Sequence, residues 1–388
     1  MAAFGDGLAV GADLVEATDT AVARATAGLA GHRADLMIGF VHGEDVAAIE
    51  AALHRLAELA GAATVLGCSV PGVIAGGRGV EETPAVAVWC AALPDAQVRS
   101  FALRAVPAAG GLAVLGMPEQ QLDDAVAVLL ADPWSFPVDG FVAESNTTLP
   151  GLPVVGGLAV GPDGHGSTRL LVDGRVVDEG AVGVVLGGAV DVHPLVSQGC
   201  RPVGPTMTVT AAEGNLLLEL AGAPALAKLE EIVTTLPPEE QSLVATGLQI
   251  GITRDEYVDE QGQGDFLIRG VAGADEARGA LAVGDVVPVG RTVRFQVRDA
   301  VAADADLRAT LDAFRDRRSR DVQGALLFSC NGRGAGLFGT PDHDPEVVRS
   351  QLVGSGVAGC FAAGEIGPVA GRNFVHGFTA SILAFSAT

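Results

Sequence analysis

Lysine occurs once in the 388 residues, at Lys228, and 24 lysines and arginines face 47 aspartates and glutamates, a formal net charge of −23 at pH 7. A chain so poor in cations has no basic stripe with which to neutralise phosphates or to settle on anionic lipid, which argues against nucleic acid and membrane surfaces as partners. Long hydrophobic runs are also missing. Gly, Pro or a charge interrupts every apolar stretch before the roughly 18 residues a membrane-spanning helix needs. The N-terminal MAAFGDGLAVGADLVEATDT lacks a basic segment followed by an apolar one, so no secretory signal is expected and the protein is placed in the cytoplasm. The five cysteines, Cys68, Cys90, Cys200, Cys330 and Cys360, include no C-x-x-C pair. An odd, unpaired set points to free thiols in a reducing compartment, and away from a disulfide framework or a zinc ribbon.

What is present is apolar: 49% hydrophobic against 18% charged residues, the balance of a well-buried globular protein long enough for two domains. Helical periodicity marks 11–30, 43–60, 118–131, 212–236, 304–319 and 345–353. Asp344-Pro345 supplies a helix start, with Asp as cap and Pro in the first turn. Between these segments lie strand-like runs such as ADLMIGFV, AVAVWCAAL, TRLLVDG, AVGVVLGG, TVRFQVRD and GALLFSC, bounded by Gly, Pro and Asp. Strands come in pairs between helices more often than singly, which predicts an α+β fold with mixed or antiparallel sheets.

Three segments echo one another: TVLGCSVPGVIAGG (64–77), PVVGGLAVGPDGHG (153–166) and GVAGCFAAGEIGPVAG (356–371). Each runs from an apolar strand through G-[CG]-x-x-x-G into a further β-rich piece. The pattern predicts a duplicated helix–strand–hairpin unit used at least once in each half. The turn-rich 187–205 marks the boundary, giving two related domains, 1–195 and 196–388.

Polar chemistry gathers late in the chain. GCFAAGEIGPVAGRNFVHGFTAS (359–381) holds Cys360, Glu365, Arg372, Asn373 and His376, and GALLFSCNGRGAGLFG (324–339) delivers Cys330, Asn331 and Arg333 to a glycine-rich turn. Glycines here either close turns or expose backbone N–H groups able to hold an anion. Glu365 suits an ammonium and Arg333 or Arg372 a carboxylate, together an amino-acid-like zwitterion. Asn331 and Asn373 would orient such a ligand, His376 would make binding pH-dependent, and Cys68-Ser69 would supply the corresponding turn in the first half. Each residue has a plainer role open to it: Glu365 paired with Arg333 or Arg372, Asn373 closing a turn, His376 satisfied in a core, Cys330 and Cys360 as small buried hydrophobes. A cysteine hydrolase or transferase, with Cys330 or Cys360 as nucleophile and His376 as base, is the enzymatic alternative. Cys68, Cys330, Cys360 and His376 lack the close paired spacing of a zinc site, so no metal is expected.

These motifs resemble those of FIST-domain proteins, an N-terminal FIST domain followed by a C-terminal one. LGCSVPGVIAGG, EETPAVAVWCAAL and LPVVGGLAVG carry the first resemblance. VSQGCRPVGPTMTVTAAEGNLLLEL, VRFQVRDA, GALLFSCNGRGAGLFG and GCFAAGEIGPVAGRNFVHGFTAS carry the second. The resemblance implies an intracellular sensory module that binds a small polar metabolite, with amino acids the usual suggestion, and it brings no cofactor and no catalytic set. It also extends to part of a eukaryotic F-box protein whose FIST domains recognise other proteins, so a protein-recognition scaffold is a further alternative. No kinase, cyclase, methyl-accepting or F-box segment accompanies the pair, so a signal is expected to leave through a separate protein; the oligomeric state is left open.

Overall fold

Strands buried on both faces organise the chain. The computed structural model describes residues 2–108, 111–257, 261, 264–354 and 356–387. Among them are eight helices and 26 strands in mixed and antiparallel sheets, the α+β class expected. The chain divides into two compact units, one holding residues up to Val196, Leu307–Val375 and Thr379 onward, the other Ser197–Asp306 and His376–Phe378. The half drawn at 196–388 therefore contributes to both units.

The first unit is one element sequence used three times. Repeat one is β1 (Ala3–Val10), α1 (Leu14–Ala27), β2 (Leu36–His42), α2 (Val46–Leu59), β3 (Thr64–Ser69), the hairpin β4 (Gly72–Ala75) and β5 (Arg78–Val80), and β6 (Ala85–Ala92). Repeat two is β7 (Ala96–Ala108), β8 (Gly111–Leu115), β9 (Asp124–Ala131), α3 (Val138–Thr148), β10 (Val154–Leu158), the hairpin β11 (Leu170–Val172) and β12 (Arg175–Val177), and β13 (Ala181–Gly188). Repeat three opens with β14 (Val192–Gln198).

The second unit interrupts repeat three with β15 (Cys200–Glu213), β16 (Leu216–Leu220), β17 (Ala223–Pro224), α4 (Ala225–Thr235), α5 (Pro238–Gly247), β18 (Leu248–Thr253), β19 (Phe266–Asp275), β20 (Ala280–Val283) and β21 (Thr292–Arg298). Its sheet runs β15-β21-β18-β19-β20-β16, and β15 also pairs with β16, so six strands close into an antiparallel barrel. Closure leaves those strands no free edge. Repeat three resumes along α6 (Ala300–Arg317) and continues with β22 (Val322–Cys330), α7 (Ala335–Phe338), α8 (His343–Gln351), β23 (Val357–Ala362), the hairpin β24 (Glu365–Val369) and β25 (Arg372–His376), and β26 (Thr379–Ser386).

Each repeat builds its own four strands, in the orders β1-β6-β2-β3, β7-β13-β9-β10 and β14-β26-β22-β23. The last two strands of each set are parallel. The hairpins are then exchanged in a cycle. β4–β5 adds to β23 of repeat three, β24–β25 to β10 of repeat two, and β11–β12 to β3 of repeat one. Side-chain alternation serves this arrangement, because successive residues of a strand point to opposite faces. In β9, Val126, Val128 and Leu130 enter a core shared by all three sheets, while Ala127, Leu129 and Ala131 enter a separate core under α3. In β22, Leu326 and Phe328 take the shared core, and Ala325 and Leu327 meet α6 and α8.

That double burial explains one departure from the sequence reading. Residues 118–131 carry an apolar run without gaps, which a helix and a two-sided strand share, and 124–131 forms β9. Likewise 212–236 divides into strands and then α4, while α3 and α5 carry too little periodicity to announce themselves.

The parallel strands approach closely at the glycine motif. A Cβ on Gly156 would stand 1.8 Å from the Leu129 carbonyl oxygen, and one on Gly359 1.7 Å from that of Leu327. Both contacts are with backbone, which has no rotamer to yield. Gly156→Ala or Gly359→Ala is therefore expected to cost about 3 kcal/mol or more, an overpacking penalty. Gly140→Ala, in open space on α3, should be neutral or stabilising by up to about 1 kcal/mol. Denaturant unfolding of the three variants checks the contrast.

Candidate functional site

The repeats place equivalent residues around the shared core, and one of them breaks the pattern. Cys68, Gly157 and Cys360 follow Gly67, Gly156 and Gly359 on β3, β10 and β23, and each faces a residue of an incoming hairpin. Cys68 is opposite Leu170, Cys360 opposite Val73, and Gly157 opposite Glu365. Two repeats thus pair a thiol with a branched apolar side chain; the third pairs a glycine with a carboxyl group. Leu170, Val73 and Glu365 are all fully buried.

Burial without a full set of partners is costly for a carboxylate. Oε2 of Glu365 accepts hydrogen bonds from the Thr379 N–H at 3.0 Å and the Thr379 hydroxyl at 2.8 Å. Oε1 is buried with no conventional donor, and the Cys330 thiol, a weak S–H donor near the carboxyl group, favours the ionised form. Desolvation prevails over these contacts and over the Arg333 charge, and raises the Glu365 pKa to about 8. Cys68 and Cys360 lie in the same core, where burial pushes both thiols far up; the proximity of Cys68 and Glu365 adds to the effect on Cys360. Neither is a thiolate at neutral pH, so Cys360 has lost what a nucleophile requires.

A turn connects this carboxyl group to the surface. β22 ends at Cys330, whose Sγ lies 3.8 Å from Asn331 Oδ1 and accepts the Gly332 N–H at 3.5 Å. Asn331 itself is exposed. Exposed amide, nearly buried thiol and buried carboxyl thus form a continuous polar path.

Arg333 is fully buried and already engaged. Its Nε donates to Asp344 Oδ2 at 2.7 Å and its Nη2 to Oδ1 at 3.0 Å. The Ser329 hydroxyl donates to Oδ2 at 2.6 Å, and His343 Nδ1 lies 3.0 Å from Oδ1 with its ring stacked on Phe338. Burial alone would raise the Asp344 pKa, but the guanidinium charge and these hydrogen bonds hold it well below the carboxylate range. The same pair keeps Arg333 charged against desolvation. Arg333 therefore holds α8 to the strand end, and does not serve as the free carboxylate clamp expected of it. Asp344, read from sequence as a helix cap, lies inside the first turn of α8, which Asp342 precedes.

The other candidates are dispersed. Buried Asn373 accepts the Val154 N–H and donates both amide hydrogens, to Ser145 Oγ and the Leu152 carbonyl, which fastens β25 to β10 and α3. Ser69 accepts the Arg169 N–H at 3.0 Å and fixes the incoming β11 hairpin. Arg372 is exposed above the Phe374 ring. His376 is buried and groups with the barrel unit. Sequence reasoning passed over Thr379 and Ser329, although both stand within the quoted motifs. Among the described residues no group of three His, Cys, Asp or Glu side chains could hold a metal ion, and no helix is long and apolar enough to cross a membrane.

Two measurements follow. Arg333→Leu leaves Asp344 buried without its cation and should cost about 3–5 kcal/mol, whereas Arg333→Leu with Asp344→Leu should recover most of that in urea unfolding. For Glu365, the folded pKa lies above the unfolded value of about 4.3, so the folded state binds the extra proton. Its contribution to stability is full below that value and declines as pH rises towards about 8. Glu365→Gln should remove this decline, so the variant gains on the natural protein between pH 5 and 8.5; parallel stability profiles would show that the carboxyl group titrates in the ordinary range.

Comparison with known proteins agrees with the motifs. The FIST N domain matches residues 35–223 and the FIST C domain residues 225–368. The uncharacterized protein Rv0628c of Mycobacterium tuberculosis is 44% identical over 385 residues, spanning 98% of this chain and 99% of its own. The uncharacterized protein Mb0898c of Mycobacterium bovis is 47% identical over 321 residues, 83% of this chain and 82% of its own. FIST domains are associated with sensory, small-ligand-binding roles. With both family domains matched in succession over residues 35–223 and 225–368, this protein belongs to the FIST family.

Proposed function

We propose that this is a cytoplasmic small-ligand-binding sensory protein, that Glu365 is the group through which it registers a polar metabolite of the amino-acid type, and that a separate signalling protein receives the response. One observation carries the reading. Glu365 occupies a fully buried position where the other two repeats place Val73 and Leu170, and one of its oxygens lacks a conventional hydrogen-bond donor. Packing alone is better served by an apolar side chain, as those two repeats illustrate, so the carboxyl group is retained at a cost in stability.

A ligand ammonium reaching Oε1 would supply the missing donor and a compensating charge. Since Arg333 is engaged by Asp344, exposed Asn331 is left to meet the ligand's other polar end. Cys330, between the two, senses entry by contact. Because burial holds the Glu365 pKa at about 8, an ammonium that binds the ionised form displaces a proton near neutral pH. Affinity then rises with pH up to about 8 and levels off above it.

Calorimetric titration of an amino-acid panel in buffers of different ionisation enthalpy tests this. The expected result is binding of one compound class with release of close to one proton at pH 7, and affinity about tenfold weaker or worse in Glu365→Gln. Unchanged affinity in that variant, or binding without proton release, would remove Glu365 from the site. Native mass spectrometry of the freshly purified protein identifies any ligand already bound.

A further inference from the structure

The three repeats are not equally covered on their outer faces. In repeat one, α1 and α2 both pack on the sheet, through Leu14, Ala21 and Val22 and through Ile49, Leu53 and Leu56. In repeat three, Leu307, Leu311 and Phe314 of α6 accompany Val347 and Val348 of α8. Among the described residues, repeat two has α3 alone. Its β7 leads into β8 and the following segment at the point in the order where the others carry α1 and α6, and Val114 and Met117 pack against the α3 core from there. A short arm fills less volume than a helix, and a cavity of about 760 Å³ remains between the arm and α3.

The size falls in the range of small-molecule sites, which run from about 300 to 1,000 Å³. Leu112, Val114, Met117, Phe141 and Leu149 supply apolar walls. The ionisable lining groups are Glu119 and Glu144, with no lysine or arginine among them; the neighbouring Arg99 donates to the Glu119 backbone carbonyl at 2.9 Å and pairs its charge with Asp124. Apolar walls with two carboxylates as the ionisable lining groups, beside the neutral Gln120 and Thr148, favour one chemistry.

We propose that this cavity is a ligand site, separate from the Glu365 cluster, for an amphipathic amine: an aromatic or aliphatic body in the apolar cleft and a primary ammonium at Glu119 and Glu144. Electrostatics disfavours the matching carboxylate and leaves a neutral alcohol as an intermediate binder.

Three isosteric probes decide the matter: 4-phenylbutylamine, 4-phenylbutanol and 4-phenylbutyrate, titrated into the full chain with ligand-observed NMR or calorimetry as the readout. The amine is expected to bind best and the carboxylate worst. Exposed carboxylates contribute modestly, so Glu119→Gln or Glu144→Gln alone should weaken the amine about threefold to fivefold, and the double variant should equalise amine and alcohol. Gly140 lines the cavity, and a Cβ there would meet nothing within 4 Å, so Gly140→Trp fills the space without disturbing α3 and should abolish binding of all three. Failure of the amine to bind at millimolar concentration, binding retained in Gly140→Trp, or an amine preference that survives the double variant would each overturn the proposal. Gly140 lines this cavity and not the surroundings of Glu365, so amine binding lost in Gly140→Trp is assigned to this site and separates it from the one proposed above.

Discussion

The first unit depends on three antiparallel pairings, β4 on β23, β11 on β3 and β24 on β10, by which each sheet completes itself with a hairpin from another repeat. No sheet reaches its full six or seven strands from its own repeat. Because the exchange is cyclic, the three inner faces share one core instead of three. Trp89 shows the consequence: its ring lies against Phe4 and Phe385, and its Nε1 donates to the Gly356 carbonyl at 3.1 Å, tying the sheet of repeat one to the chain of repeat three. The motif glycines answer a different contact, the parallel pairing inside each repeat, where a Cβ on Gly156 or Gly359 would meet the carbonyl of the neighbouring strand.

A cyclic arrangement also supplies an internal standard. When two of three equivalent positions hold Leu170 and Val73, the burial energy of that position is plainly apolar, and Glu365 stands out without reference to any other protein. The arm beside α3 is judged the same way, because two repeats seat a second helix and one does not. Departures from a repeated pattern are where local packing has been given up, and that is where function is sought.

Much of this was legible in the sequence. The apolar runs ADLMIGFV, AVAVWCAAL, AVGVVLGG and GALLFSC are all strands, and the three glycine segments mark equivalent crossings. The polar cluster at 324–339 and 359–381 does place Cys330, Glu365 and Arg333 near one another. Other assignments escaped for definite reasons. DDAVAVLLA has the composition of a helix and becomes β9 because two different cores take its alternate residues. Arg333 offered itself as a ligand group because residue type does not disclose a partner, and Asp344 proved to be that partner.

The sequence by itself determined the local alphabet: which runs are extended, which are helical, where glycine permits a crossing, and which polar residues are too concentrated to be incidental. These follow from side-chain periodicity and backbone sterics, which act over a few residues. Tertiary structure alone decided that Glu365 faces Gly157, that Asn373 locks β10, and that repeat two lacks a second helix over its sheet. Those outcomes depend on pairing between strands far apart in the chain, whose register is chosen by burial of the whole three-sheet core and not by any property of the segments themselves.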